Sequence, residues 1–146
     1  MSAAELPFFV YGTLRPGEAN HRLFLAGRTA AEEPAHLPGA ALHDGPGYPY
    51  AVPGGPGEVV VGDLVHAAPG GYRELLSVLD RLEEYLGPGH PLNLYERLPR
   101  DTVRLRDGAV VRAWVYVPAP RTVPGAPIPG GDWLSRRPVP DVPRTP

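Results

Sequence analysis

The sequence predicts an α+β domain, a small mixed, β-barrel-like sheet with one main helix packed on it. Three observations lead there. Tyr72–Leu86 is a stretch free of glycine and proline with helical apolar spacing. Several short β-branched and aromatic runs flank it on both sides. Two of those runs meet at Asp107-Gly108, a strong hairpin signal. With 146 residues, 42% of them hydrophobic, and a net charge of −2, the chain has the core for one domain. Its 18 glycines and 21 prolines approach a low-complexity composition, but the low charge and apolar content oppose disorder.

In chain order, Leu6–Leu14 (LPFFVYGTL) reads as a buried strand ending at Gly12. Asn20–Ala26 suits a short helix capped by Asn20. Pro34–Gly57 holds twelve Gly or Pro in 24 residues, so loops and short strands are expected, among them His36–Leu42 and Tyr48–Val52. Glu58–Ala67 alternates as a strand. The helix over Tyr72–Leu86 is expected to stop at Gly87-Pro88-Gly89. Tyr95–Arg106 and Ala109–Val117 form the hairpin, with Trp114 in the core. From Pro118 onward, twelve of 29 residues are Gly or Pro, an extended tail pinned by Trp133.

Composition excludes several chemistries. With no cysteine there are no disulfides, thiolate metal sites or cysteine nucleophiles. All fourteen basic residues are arginine, which removes Schiff-base lysines. No basic cluster suggests nucleic acid, and no leader or membrane span is evident, so a cytoplasmic location is expected. The five histidines (His21, His36, His43, His66, His90) lack metal-site spacing, and no serine stands in a nucleophile-elbow motif.

One helix residue breaks the pattern. Leu75, Leu76, Val78, Leu79, Leu82 and Leu86 form an apolar stripe, while Arg73, Glu74, Ser77, Asp80, Arg81 and Glu84 fill the opposite arc. Glu83 falls at about 20°, between Leu79 at about 340° and Leu76 at about 40°. A carboxylate there either reaches solvent or an arginine at the stripe's edge, or is buried with a raised pKa that suits an acid/base.

The turn Tyr11-Gly12-Thr13-Leu14-Arg15-Pro16-Gly17 is the second candidate. Its Gly12–Gly17 spacing copies a phosphate-binding loop, yet Glu18 and Ala19 occupy the positions of the required lysine and hydroxyl residue. Two readings remain: an ordinary strand-ending turn, or a nest of backbone N–H groups for a singly charged anion.

Taken in order, these pieces resemble the γ-glutamylcyclotransferase-like family, in the branch of γ-glutamylamine cyclotransferases and avirulence-induced homologues. The resemblance rests on Phe9–Gly17 (FVYGTLRPG), Gly47-Tyr48-Pro49, Leu79–Glu83 (LDRLE), Tyr95-Glu96-Arg97, Ala113–Val117 (AWVYV) and Ile128–Trp133 (IPGGDW). It implies a domain over residues 1–134, followed by a Pro-rich tail, 135–146. It implies that Glu83 is the acid/base and that backbone N–H groups of the Tyr11–Leu14 turn, those of Gly12, Thr13 and Leu14, bind the γ-glutamyl group, with Tyr116 as a pocket hydroxyl. The implied reaction is closure of a γ-glutamyl amine or peptide to 5-oxoproline, releasing the amine and needing no metal or cofactor. Two departures bear on the leaving group. Glu84 stands where family members often have glycine, and Leu86–Leu94 is inserted after the helix. The alternatives are, from another class, a non-catalytic binding or scaffold module of the same fold and, third, a metal-dependent hydrolase using the histidines.

Overall fold

A computed structural model describes residues 5–135; the expected tail beyond Ser135 lies outside the described residues. Five strands close into a barrel in the order β1-β5-β2-β6-β7: β1 (Phe8–Val10), β2 (Thr29–Pro38), β5 (Val59–Ala67), β6 (Tyr95–Arg104) and β7 (Val110–Pro118). Neighbours run antiparallel except β1 and β7, whose parallel pairing closes the ring. A separate hairpin, β3 (Ala40–His43) with β4 (Tyr50–Pro53), lies alongside, and the main helix α1 spans Tyr72–Leu82. The mixed barrel with one main helix is the predicted architecture.

The apolar run at the start of the chain is explained by its position. Phe8, Phe9 and Val10 are all buried, because β1 has packing on both faces. Phe9 joins Ala35, Leu64, Ala113 and Val115 inside the barrel. Phe8 and Val10 face outward with Val65 and Tyr116, where Leu75 and Leu79 of α1 cover them. Close approach of β5 to β1 requires Gly62: a Cβ there would lie 2.4 Å from the Val10 carbonyl oxygen and 2.6 Å from the Phe9 ring.

Several boundaries differ from the sequence reading. The expected strand His36–Leu42 is cut by Gly39, at φ +72°, into the end of β2 and all of β3. The first half of β2, TAAEEP, has little β propensity and was not legible as a strand; pairing with β5 along its length holds it. Pro99 is accommodated in β6 because its partner Trp114 turns its own N–H to Pro7, which leaves the proline nitrogen facing away from β7. In place of the helix expected over Asn20–Ala26, a single π-helical turn covers His21–Leu25, and the Asn20 side chain makes no cap. Trp114, expected in the core, is half-buried; Trp133 is buried, as expected.

One buried cation ties distant segments together. Arg15, 9% exposed, lies 2.8 Å from Asp63 of β5 and 2.7 Å from Asp132 in the Ile128–Trp133 segment. Asp132 in turn caps its own turn through Leu134 N–H and Ser135 Oγ. Burial still pushes the Asp63 carboxyl above its ordinary range despite the guanidinium. Replacing Arg15 with leucine leaves Asp63 buried without its cation, so a loss of about 3–5 kcal/mol is expected in denaturant unfolding. Asp132→Asn, at the more exposed end, should cost less, and equal losses would contradict this arrangement.

Candidate active site

Glu83 is positioned by the end of α1. The helix stops four residues before the expected Gly87-Pro88-Gly89, at Glu83 itself, which still donates its N–H to Leu79 O. Glu84 then adopts φ +52°, its N–H bonds to Arg81 O, and Tyr85 N–H bonds back to Asp80 O. This pair of reversed bonds is a Schellman motif, with Glu84 in the left-handed position that glycine usually occupies. Leu86, counted in the apolar stripe by periodicity, lies past the helix and is 59% exposed.

The helix end brings Glu83 against a cleft of about 360 Å³, mouth included, lined by Phe9–Leu14, Tyr48, Pro49, Tyr95 and Tyr116. The Glu83 carboxyl makes no hydrogen bond or ion pair among the described residues. Burial, with the neighbouring Glu84 charge adding to it, pushes its pKa up to about 8. Glu83 is half-buried at the cleft wall and pairs with no arginine among the described residues, so its carboxyl stands between the two arrangements that periodicity left open.

Across the cleft stands the turn after β1. Gly12 is required by crowding: its Cβ would lie 2.7 Å from Pro49 Cδ, while its φ lies outside the left-handed region. Gly12 O accepts the Arg15 N–H at 3.1 Å, closing the turn, and the Arg15 side chain anchors it to β5. Asn20, free of any capping role, donates from Nδ2 to Thr13 Oγ at 3.0 Å. The N–H groups of Gly12, Thr13 and Leu14 donate to no group among the described residues, and all three residues line the cleft with Glu83. The turn is therefore held from behind, and its three unpaired N–H groups belong to residues that line the cleft.

The tyrosines serve mainly as walls. Tyr11 Oη donates to Tyr116 O at 2.6 Å and accepts Ala51 N–H at 3.2 Å, which ties β1, β7 and β4 together and leaves its hydroxyl committed to structure. Tyr95 Oη donates to Pro49 O at 2.7 Å. Tyr116 Oη donates to Asp80 at 2.5 Å, and Arg97 holds that carboxylate at 2.8 and 3.3 Å. Arg97 is itself stacked 4.4 Å from the Trp114 ring and 5.0 Å from that of Tyr85. Burial first, then the Asp80 hydrogen bond and charge, pushes the Tyr116 hydroxyl upward, so it stays protonated.

Sequence reasoning placed Asp80 on the solvent arc; it is half-buried because β6 and β7 meet that flank of the helix. Its (i, i+3) spacing from Glu83 was the available signal, since such residues are surface neighbours on a helix. Arg15, Asn20 and Arg97 were also missed as site supports, and only their partners reveal them. The Gly- and Pro-rich segment Pro34–Gly57 supplies Tyr48 and Pro49 to the cleft, whereas Gly87–Pro91, within the insertion after the helix, does not line it. Gly87 and Pro88 instead border a separate groove beside Arg97 and Trp114. Among the described residues, no group of three or more acidic or histidine side chains could hold a metal, and no helix is long and apolar enough to cross a membrane.

Comparison with known proteins places this architecture. The chain is 34% identical over 109 residues to the γ-L-glutamyl-butirosin B γ-glutamyl cyclotransferase of Niallia circulans, a match covering 75% of this chain and 64% of that longer protein. Among solved structures, a mouse AIG2-like protein superposes with a TM-score of 0.63 at 23% identity, covering 90% of this chain and 84% of its own. YkqA of Bacillus subtilis also reaches 0.63, at 25% identity, over 88% of this chain and 39% of its own. The family model for γ-glutamyl cyclotransferase, AIG2-like proteins matches residues 8–135, the whole barrel with its helix and closing turn, and the chain belongs to that family.

Proposed function

We propose that this protein is a cyclotransferase that closes the γ-glutamyl group of an amide to 5-oxoproline and releases the amine. One observation carries the reading: an unpaired, desolvated carboxyl, Glu83, shares a small cleft with three backbone N–H donors. The similarity to a relative named for this reaction supports it.

The chemistry follows from those two features. The α-carboxylate of the substrate, or the oxyanion developing on the γ-carbonyl, is held by N–H groups of Gly12, Thr13 and Leu14. Glu83 accepts a proton from the α-ammonium, and the freed nitrogen attacks the γ-carbonyl carbon five atoms along the ring being formed. The C–N bond to the leaving amine then breaks. Of the three ammonium protons, one remains on the lactam nitrogen and two end on the departing amine, at least one of them delivered by Glu83. Because both reacting groups belong to one molecule, fixing its conformation supplies much of the acceleration. A carboxyl with a pKa near 8 suits both proton transfers at neutral pH. Tyr116, fixed by Asp80, and Tyr95 bound the glutamyl chain.

Four outcomes are expected. Glu83→Gln should lower 5-oxoproline release from γ-glutamyl amides by roughly 10²- to 10⁴-fold while leaving the circular dichroism spectrum unchanged; activity that survives would remove Glu83 from the mechanism. For the parent protein, kcat/KM should climb with pH up to about 8 and then level off as Glu83 ionises. Stability should show the opposite trend. The folded protein binds the Glu83 proton more tightly than the unfolded chain, so Glu83 destabilises progressively as pH rises from its ordinary value of 4.5 to about 8. The Tm of Glu83→Gln should therefore gain on that of the parent across this range; a difference independent of pH would argue against a buried carboxyl. Finally, Gly12→Ala, by pressing Cβ onto Pro49, should displace the donor turn and lower kcat/KM at least tenfold.

A further inference from the structure

Beside the cleft, and sharing Glu83 with it, lies a second compartment of about 430 Å³ bordered by Asn20, Tyr48, Leu82, Glu84 and Leu94. On the proposed reaction, the γ-carbonyl sits next to Glu83, and this adjoining space is open to the leaving amine and whatever is attached to it. Its only acidic lining groups, among the described residues, are the two glutamates, of which Glu84 is the exposed one. Asn20, Tyr48 and Thr13 add neutral polar atoms, and no arginine borders it.

Glu84 is held there by its backbone. Its N–H and carbonyl are both engaged, with Arg81 O and Leu94 N–H, while its exposed carboxylate has no hydrogen bond or ion pair among the described residues. It also occupies a left-handed conformation at φ +52°, where glycine would be unstrained. The chain thus keeps a free carboxylate at a costly backbone position on the rim of the leaving-group space.

We propose that Glu84 is a specificity-determining residue that selects leaving amines bearing a second positive charge and disfavours those bearing a carboxylate. This inference rests on the cyclotransferase reading above and names its substrate class. A carboxylate on the leaving side, as in a γ-glutamyl amino acid, meets two acidic side chains and no cation. A second ammonium group meets Glu84 as its counter-ion. The effect is electrostatic and partly screened, so it acts as a preference and weakens with salt.

The test uses the full chain and three γ-glutamyl amides matched in length: those of 1,4-diaminobutane, butylamine and 4-aminobutanoate. Release of 5-oxoproline is measured for each. The ratio of kcat/KM for the diamine over the amino acid cancels any shared change at Glu83. The parent should favour the diamine, Glu84→Gln should reduce the ratio roughly tenfold, and Glu84→Arg should reverse the order. Raising the ionic strength should compress the parent's ratio. Glu84→Gly, which relieves the backbone strain, provides a variant that folds if the others do not and should also lose the preference. A ratio unchanged in the Gln, Arg and Gly variants overturns the role of Glu84 and leaves the reaction standing. No 5-oxoproline from any of the three amides overturns the reaction itself and this inference with it.

Discussion

The buried guanidinium of Arg15 is the constraint on which the cleft depends. It joins the turn after β1 to Asp63 in the neighbouring strand β5 and to Asp132 near the far end of the described chain. Backbone N–H groups can serve as anion donors only if their turn is rigid, and here the buried side chains of Tyr11 and Leu14 pin one side of the turn while Arg15 fixes its end. A paired charge in a low-dielectric setting fixes orientation as well as position. With Arg15 so anchored, the N–H groups of Gly12, Thr13 and Leu14 are left without protein acceptors among the described residues.

The helix solves a second positioning problem. A carboxylate inside a regular helix on an apolar stripe would be driven to rotate outward. By ending the helix at Glu83 and reversing the chain at Glu84, the Schellman turn makes the acid the last residue of its face, backed by Leu79 and opening onto the cleft. The same reversal commits Asp80 O to the turn, while the Asp80 side chain binds Tyr116 and Arg97. One short element therefore organises the acid, the tyrosine wall and the aromatic groove outside it.

Much of this was legible in the residues. The buried first strand, the β6–β7 hairpin and the misplaced Glu83 follow from periodicity and turn chemistry, which are local properties. What was not legible depends on pairing across the fold. TAAEEP becomes a strand only because β5 lies beside it, and Asp80 leaves the solvent arc only because β6 and β7 close over that flank. The helix end was misread for a local reason: Gly87-Pro88-Gly89 is the stronger stop signal by composition, yet a glutamate, Glu84, took the left-handed position three residues earlier. The abundant glycine and proline, which first suggested low complexity, serve close contacts and reversals around a compact core.

The parallel contact between β1 and β7 also has a temporal meaning. Phe8 pairs with Trp114, and the Tyr11 hydroxyl reaches a carbonyl 105 residues further along. Both contacts enclose nearly the whole barrel in one loop, so the entropy of closing that loop must be met before either can form. During synthesis, β1 emerges first and has to wait, fully apolar, for its last partner. The two walls of the cleft, one from each end of the domain, meet only when the ring closes. In a chain stopped short of β7, the turn and Glu83 would both be present, but the Tyr116 side of the cleft would be missing and β1 would have one edge unpaired.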